Sequence, residues 1–373
     1  MTKKLLFLVN VDWFFVSHRL PIALAAQDAG YEVHIACAFI DKYDFLLQLG
    51  FKLHPLELSR TGTKLMSEII SCINFFKVLR VVKPDLVHLV TIKPVLYGGI
   101  ACRLLGVRNR VASISGLGYV FIATGLKATL MKAGISALYR FALKSKHSKV
   151  IFQNADDMQK FININAIYPQ QVVMIRGSGV DLASFSFVAE PEGIPVIMLM
   201  ARLLIDKGVL EFVEAARILK YQGVKCRFVL VGNTDENPKS VSSTLLNTWI
   251  NEGVIEYWGY SDNPAETYSK ANVAVLPSYR EGLPKSLIEA AACGRAVITT
   301  DVPGCRDAIL PDVTGILVPA KDAKSLAEAI SVLCENSQLR KRLGSAGRKL
   351  AEDEFDIKSV INTHISIYEK LLE

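Results

Sequence analysis

Glu281 and Glu289 stand with seven residues between them in the segment Leu276-Pro277-Ser278-Tyr279-Arg280-Glu281-Gly282-Leu283-Pro284-Lys285-Ser286-Leu287-Ile288-Glu289. The segment reads as a strand, a loop and a helix, with Pro284 suited to the first helical turn and Gly294 to the C-terminal cap. A helix that begins at a strand end presents free N–H groups and partial positive charge, which suits a diphosphate. Glu281 falls in the loop and Glu289 about a turn and a half inside the helix. So placed, they could accept hydrogen bonds from two hydroxylated parts of one ligand. An ordinary first-turn acid and a solvated helix residue would leave the same trace. A second segment supplies cations: Arg202 follows the apolar run 196–200, and Lys207-Gly208 stands just before the next helix. Guanidinium and ammonium groups converging on one strand-end crevice would stabilise a leaving diphosphate as its charge grows. Two surface cations are the plainer alternative.

Such residues need a scaffold that gathers strand ends. Short apolar runs alternate with helix-length amphipathic segments along the chain, the pattern of parallel sheets covered by helices on both faces. The first half has runs at 5–9, 33–38, 86–89, 111–114, 150–153 and 172–175, the second at 196–200, 228–231, 255–258, 273–276, 296–299 and 316–318. Two sets of six predict two Rossmann-like α/β domains, and 373 residues exceed the ~250–300 at which a single core stops growing. Residues 176–195 break both periodicities with Gly177, Gly179, Pro191, Gly193 and Pro195, and read as a linker. The expected division is 1–187, 188–356 and a terminal helix, 357–373, crossing back onto the first domain. Ligands of open α/β sheets bind beyond the carboxyl ends of the strands, so two such domains facing each other make a cleft lined by strand-end loops.

Composition narrows the setting. Hydrophobic residues form 51% of the chain, yet no uncharged apolar run approaches the ~20 residues needed to span a bilayer. The start, Met1-Thr2-Lys3-Lys4 and then Leu5 to Val9, resembles a signal peptide, but Asp12 interrupts it and no small-residue cleavage site follows. It reads as the first buried strand of a cytosolic protein. Seven cysteines, at 37, 72, 102, 226, 293, 305 and 334, form no pair at zinc or redox spacing and read as reduced, buried fillers. The net charge of +7 is uneven: residues 1–187 carry 22 Lys and Arg against 11 Asp and Glu, the remainder 21 against 25. The first half therefore faces something anionic.

In combination these motifs resemble glycosyltransferase family 4. The resemblance rests on Glu281 and Glu289 within Pro-Ser-Tyr-Arg-Glu-Gly-Leu-Pro, on Arg202 with Lys207-Gly208, and on Ser178-Gly179-Val180-Asp181 with Phe185. Asp301-Val302-Pro303-Gly304 and Thr314-Gly315-Ile316-Leu317-Val318-Pro319 extend it in the same order. It implies a retaining enzyme with the GT-B fold, two Rossmann-like domains facing across a cleft. It further implies that Arg202 and Lys207 hold the diphosphate of a donor nucleotide-sugar, Glu289 the ribose hydroxyls and Glu281 the transferred sugar. The loop of Gly282, Leu283 and Pro284 would lie against that sugar and the phosphates. Members of the family generally work without a bound metal, and the sequence shows no metal-ligand cluster, so no cofactor is expected.

The first half departs from the family pattern. Ser113-Ile114-Ser115-Gly116-Leu117-Gly118-Tyr119 lacks the histidine many members carry there, and no Gly-Gly pair follows the first strand. Instead comes Asn10-Val11-Asp12-Trp13-Phe14-Phe15-Val16-Ser17-His18-Arg19. His18 and Arg19, at a helix start, are the candidates for acceptor or phosphate contact, and Asp12 for orienting the acceptor hydroxyl; His18 would equally cap or pack. Gly116 and Gly118 are counted to the acceptor side. His88, inside a strand, reads as a core histidine. Residues 124–149 carry Lys127, Lys132, Arg140, Lys144, Lys146 and Lys149 with no acid, on a helix with a large apolar side. Such a helix can lie in an anionic membrane interface, and a core-packed helix with a solvated basic face is the alternative.

Local detail is similar to that of bacterial transferases extending saccharides on polyprenyl diphosphate, in O-antigen, capsule or other surface glycan assembly. The resemblance points to a UDP-sugar, best an N-acetylhexosamine, passed to a polyprenyl-diphosphate-linked saccharide by an enzyme peripheral on the cytoplasmic face of the inner membrane. A nucleotide-sugar 2-epimerase of the same architecture is the alternative, needing neither acceptor nor membrane-facing helix. A dinucleotide oxidoreductase is disfavoured because no Gly-x-Gly-x-x-Gly follows the first strand of either half. Nucleic-acid binding lacks any recognition motif.

Overall fold

The computed structural model describes residues 2–58, 65–116, 126–234 and 237–373, with 65–67 and 126–130 described by backbone alone. The chain divides into two compact units, Met1–Ser178 with Lys358–Glu373, and Gly179–Ile357.

The first unit is one seven-stranded sheet. Its strands are β1 (Lys4–Val11), β2 (Glu32–Ala38), β3 (Lys52–Pro55), β4 (Leu86–Val90), β5 (Arg110–Ile114), β6 (Ser148–Phe152) and β7 (Val172–Met174), in the order β3-β2-β1-β4-β5-β6-β7. Every pairing is parallel, so each strand returns through a crossover. The crossovers carry α1 (Asp12–His18), α2 (Leu20–Asp28), α3 (Tyr43–Gln48), α4 (Leu65–Val82), α5 (Gly99–Leu104), α6 (Leu126–Leu143) and α7 (Ala155–Asn163). A turn of π-helix, Pro94–Gly98, leads into α5. Six strands follow the apolar runs of the sequence. The seventh, β3, does not, because Lys52-Leu53-His54-Pro55 lies at the sheet edge with both ends exposed, where Pro and Lys are tolerated.

Alternation in the central strands splits the core. Leu6, Leu8, Val87 and Leu89 pack with Phe75, Val78, Leu79 and Val82 of α4 and with Tyr139, Ala142 and Leu143 of α6. Phe7 instead meets Phe15 and His88, at ring-centre distances of 5.5 and 5.1 Å.

The second unit holds β8 (Val196–Met200), β9 (Arg227–Val231), β10 (Glu256–Tyr257), β11 (Val273–Leu276), β12 (Ala296–Thr300) and β13 (Gly315–Val318), ordered β10-β9-β8-β11-β12-β13. These match the six apolar runs, all in parallel pairs. Its helices are α8 (Val209–Tyr221), α9 (Ser243–Asn251), α10 (Pro264–Ser269), α11 (Lys285–Ala292), α12 (Ala323–Glu335) and α13 (Ser337–Glu354), and α14 (Ile357–Leu372) closes the chain. From Lys358 onward α14 belongs to the first unit, where His364 and Tyr368 are buried.

The segment expected as a linker is tied down. Val180 N donates to the Phe355 carbonyl at 2.8 Å, and Arg348 reaches the Phe185 and Ala292 carbonyls. The Arg295 guanidinium donates to the Val188 carbonyl, and Glu190 forms a buried ion pair with Arg340 at 2.8 Å. These bonds attach residues 179–190 to the second unit, so the units part at Ser178. Among the described residues no helix is long and apolar enough to cross a membrane.

Candidate active site

In the second unit the C-terminal end of β8 passes through Arg202 and a short turn, Ile205–Lys207, into α8, while β11 passes through Ser278 and Glu281 into α11. The two loops meet. Lys207 Nζ and Glu281 Oε1 form an ion pair, with the side chains 21% and 13% exposed. Ser278 Oγ lies 2.7 Å from the same oxygen and 2.9 Å from the Asp206 carbonyl, while Tyr279 N donates to that carbonyl at 2.9 Å. Gly208 is what permits this approach: at φ 74° it sits where a Cβ would come 2.1 Å from the Pro277 carbonyl oxygen. On the other side Glu281 N donates to the Pro303 carbonyl, and a Cβ at Gly304 would lie 2.4 Å from the Glu281 carbonyl oxygen. Glu281 is thus held from both flanking loops.

Gly282, Leu283 and Pro284 are buried, and Pro284 precedes α11 without a side chain capping its first N–H groups. Glu289, 7% exposed, lies one turn along that helix from Lys285 and pairs with it at 3.0 Å. Burial raises the Glu289 carboxyl above its ordinary range, and Lys285 opposes the shift. Arg202 is exposed at the end of β8. Beyond β9 and β10, Val231, Trp258, Tyr260, Ser261, Thr267 and Lys270 line a pocket of about 370 Å³ that the sequence did not announce. Its aromatic residues are scattered through a loop, with no spacing to mark them.

In the first unit two expectations need correction. Asp12 is fully buried, and Oδ2 accepts from the backbone N–H groups of Ile40, Asp41 and Lys42 at 2.7, 3.0 and 2.9 Å. Oδ1 accepts from Trp13 N at 2.8 Å, so this carboxylate holds the 40–42 turn to the start of α1 and points inward rather than toward an acceptor hydroxyl. Arg19 is 2% exposed and donates to the His18 carbonyl at 2.9 Å. Burial pulls its guanidinium down to about 10, the nearby Tyr368 hydroxyl opposing the shift. It is an interior cation beside α14 rather than a surface phosphate contact. His18 is half-buried and stacks on Phe14 at 4.1 Å. His88 is a core residue, between Tyr368 Oη and Ser113 Oγ at 2.7 Å each, and burial drives its pKa well below the usual histidine value.

Gly116, two residues past β5, has φ 124°, and Gly118 lies outside the described residues, as does the side chain of Lys127. On α6 and the residues after it, Lys132 is half-buried and Lys146 exposed. Arg140, Lys144 and Lys149 reach Ile164 O, Asn165 Oδ1 and Gln170 O. Beside them Met131, Leu138 and Phe141 are 46%, 42% and 42% exposed.

Comparison with known proteins bears on family and fold. Residues 183–350 match the family "Glycosyl transferases group 1", and residues 4–154 match "Glycosyl transferase 4-like". The N,N'-diacetylbacillosaminyl-diphospho-undecaprenol alpha-1,3-N-acetylgalactosaminyltransferase of Campylobacter jejuni is 31% identical, over 95% of each chain. The UDP-Gal:alpha-D-GlcNAc-diphosphoundecaprenol alpha-1,3-galactosyltransferase of Escherichia coli is 26% identical over 71% of this chain and 70% of its own. Among solved structures, a glycosyltransferase from Rickettsia africae superposes with a TM-score of 0.77 at 16% identity, covering 100% of this chain and 99% of its own. Anabaena HepE in complex with UDP-glucose gives 0.75 at 18%, covering 99% of each. Both share the GT-B fold. Two family matches in tandem and a relative aligned end to end leave one assignment: the chain belongs to the group 1 glycosyltransferases, glycosyltransferase family 4.

Proposed function

We propose that the chain is a retaining transferase that moves an N-acetylhexosamine from its UDP-sugar onto a polyprenyl-diphosphate-linked saccharide, in assembly of a bacterial surface glycan. The observation that carries the donor side is the junction of Lys207, Ser278 and Glu281 beside the uncapped start of α11, with Glu289 buried about one turn along that helix. The donor diphosphate would lie against α11's free N–H groups, Arg202 and Lys207, with Glu289 accepting from the ribose hydroxyls and Glu281 from the sugar. As the anomeric C–O bond breaks, its electron pair goes to the β-phosphate, where the two cations and the helix start stabilise the charge. The acceptor hydroxyl adds to the anomeric carbon on the face the diphosphate leaves, and its proton passes to the departing phosphate oxygen. The acceptor class is supported by what the Campylobacter and Escherichia relatives are named for, both undecaprenol-diphosphate sugars.

A lipid-linked acceptor calls for a membrane surface. Exposed Met131, Leu138 and Phe141 on α6 and Ile69, Ile70 and Ile73 on α4, in the basic half of the chain, suit an anionic interface on the cytoplasmic side of the inner membrane. The deciding experiment is a transfer assay with UDP-, GDP- and dTDP-sugars and short-chain polyprenyl-diphosphate saccharides, with separation of the lipid product. Product from a UDP-N-acetylhexosamine is expected. Epimerised donor or free UDP without lipid product would overturn the acceptor assignment.

A further inference from the structure

Four irregularities coincide at one place in the first sheet. β1 and β4 are adjacent and parallel, with Leu8 beside Leu89 as their last pair; Asn10 follows near the carboxyl end of β1 and Thr91 directly after β4. The pairing of β1 with β2 slips by one residue between Leu8 and Val11, a bulge that includes Asn10. Thr91 has φ 72°, the left-handed region that β-branched side chains avoid. The π-helical turn Pro94–Gly98 follows soon after, and a Cβ at its Gly98 would come 3.0 Å from Leu8 and from Leu89, so it packs on the last pair of β1 and β4. Asn10 Oδ1 and Thr91 Oγ1 are both buried and have no hydrogen-bond partner among the described residues.

Bulges, π turns and strained backbone each cost stability and gather where a side chain must be aimed at a ligand. A buried oxygen without a partner adds to that cost. These unpartnered oxygens at neighbouring strand ends, an amide oxygen that accepts and a hydroxyl that both donates and accepts, match hydroxyl or N-acetyl groups of a sugar. Asn10 Oδ1 needs a donor, which an ionised diphosphate does not offer. We infer that Asn10 and Thr91 form a sugar subsite, taking the saccharide of the acceptor. This rests on the acceptor assignment proposed above and names the residues that read it.

The test measures binding of two probes to the full chain by calorimetry: geranyl diphosphate carrying one N-acetylhexosamine, and geranyl diphosphate alone. Thr91→Val and Asn10→Leu are each expected to weaken the sugar-bearing probe about tenfold or more while leaving the bare diphosphate and UDP unchanged. Thr91→Ser, which restores the hydroxyl, should bind as the unmodified chain does. Thr91→Gly relieves the backbone as it removes the hydroxyl, so it should fold at least as stably and still lose the sugar. Equal weakening of both probes, or of neither, overturns the subsite, as does an unmodified chain that does not prefer the sugar-bearing probe. If the variants discriminate between the probes but no donor yields lipid product, the subsite stands and the transfer assignment falls.

Discussion

Lys207 and Glu281, 74 positions apart, close the crevice between the two strand-end loops of the second unit as an ion pair on the same carboxylate oxygen that Ser278 approaches at 2.7 Å. Each charge is kept in place by the other, and both side chains retain some exposure. Lys207→Ala and Glu281→Gln are each expected to lower turnover by about 10²–10³-fold, the cost of removing one preorganised electrostatic group. Melting should shift by only a few degrees, since a partly exposed pair contributes roughly 0–1 kcal/mol to folding. Near-normal turnover from either variant sinks the site assignment.

Glu289 sets stability against function. Its folded carboxyl is raised by burial, so the native state binds its proton more tightly than the unfolded chain does. The associated stability is fully present below the ordinary carboxylate pKa and is lost as pH rises through the folded value. Glu289→Gln removes that loss. It should melt higher than the parent at pH 7–8, converge with it near pH 4, and bind UDP about tenfold more weakly. Thermal scans across pH, paired with UDP titration, check both signs; a lower melting point at pH 8 contradicts the burial argument.

The second sheet was legible because its four central strands, β9, β8, β11 and β12, are buried on both faces and read as apolar runs. The exposed edge strand β3 carries no such run, and so it was missed. The meeting of Lys207 with Glu281, and the place of Glu289 on α11, were legible for a different reason: these residues sit at fixed offsets from strand and helix signals. Asp12 and Arg19 also sit at a strand end and a helix start, yet they turn inward. Charge and position in a sequence do not reveal which way a side chain points. Thr91 was invisible altogether, since a β-branched residue argues against the left-handed backbone it adopts.

Asp12 makes the inward turn testable. Removing its carboxylate leaves the N–H groups of Ile40, Asp41 and Lys42 without their acceptor. Asp12→Ala should cost about 2–4 kcal/mol, read by denaturant titration. Turnover per folded molecule should hold within a fewfold at low temperature. A stable variant with abolished turnover would return Asp12 to the chemistry.

Acid should loosen the seat of α14. His88 and His364 are buried and neutral, His364 pushed down to about 3 by burial and then by Arg19. A folded pKa below the unfolded one contributes stability that is present above about 6.5 and lost as pH falls through the window toward 3. Stability of the parent should therefore decline below pH 6.5 by up to about 1.4 kcal/mol per pH unit for each histidine. His364→Gln should flatten that slope, as measured by denaturant titration at each pH. An unchanged slope would place the acid sensitivity elsewhere.

The proposed membrane binding would separate into an apolar and a charged part. Leu138 and Phe141 on α6, and Ile69 and Ile73 on α4, are 42%, 42%, 45% and 48% exposed, and water contact at these side chains is what an interface would relieve. Lys146 is exposed, whereas Lys144 and Lys149 are engaged with Asn165 and the Gln170 carbonyl, so Lys146 is the cleaner probe of charge. Leu138→Gln with Phe141→Gln, and separately Ile69→Gln with Ile73→Gln, should each reduce sedimentation with anionic vesicles severalfold. Lys146→Glu should do so at 0.1 M salt and lose most of its effect near 0.5 M, where the Debye length falls to about 4 Å. Turnover of a short-chain acceptor in solution should not change, because such an acceptor reaches the enzyme without a membrane surface. Sedimentation indifferent to the apolar pairs would leave attraction by the basic half alone, and indifference to all three variants would remove the membrane from the proposal.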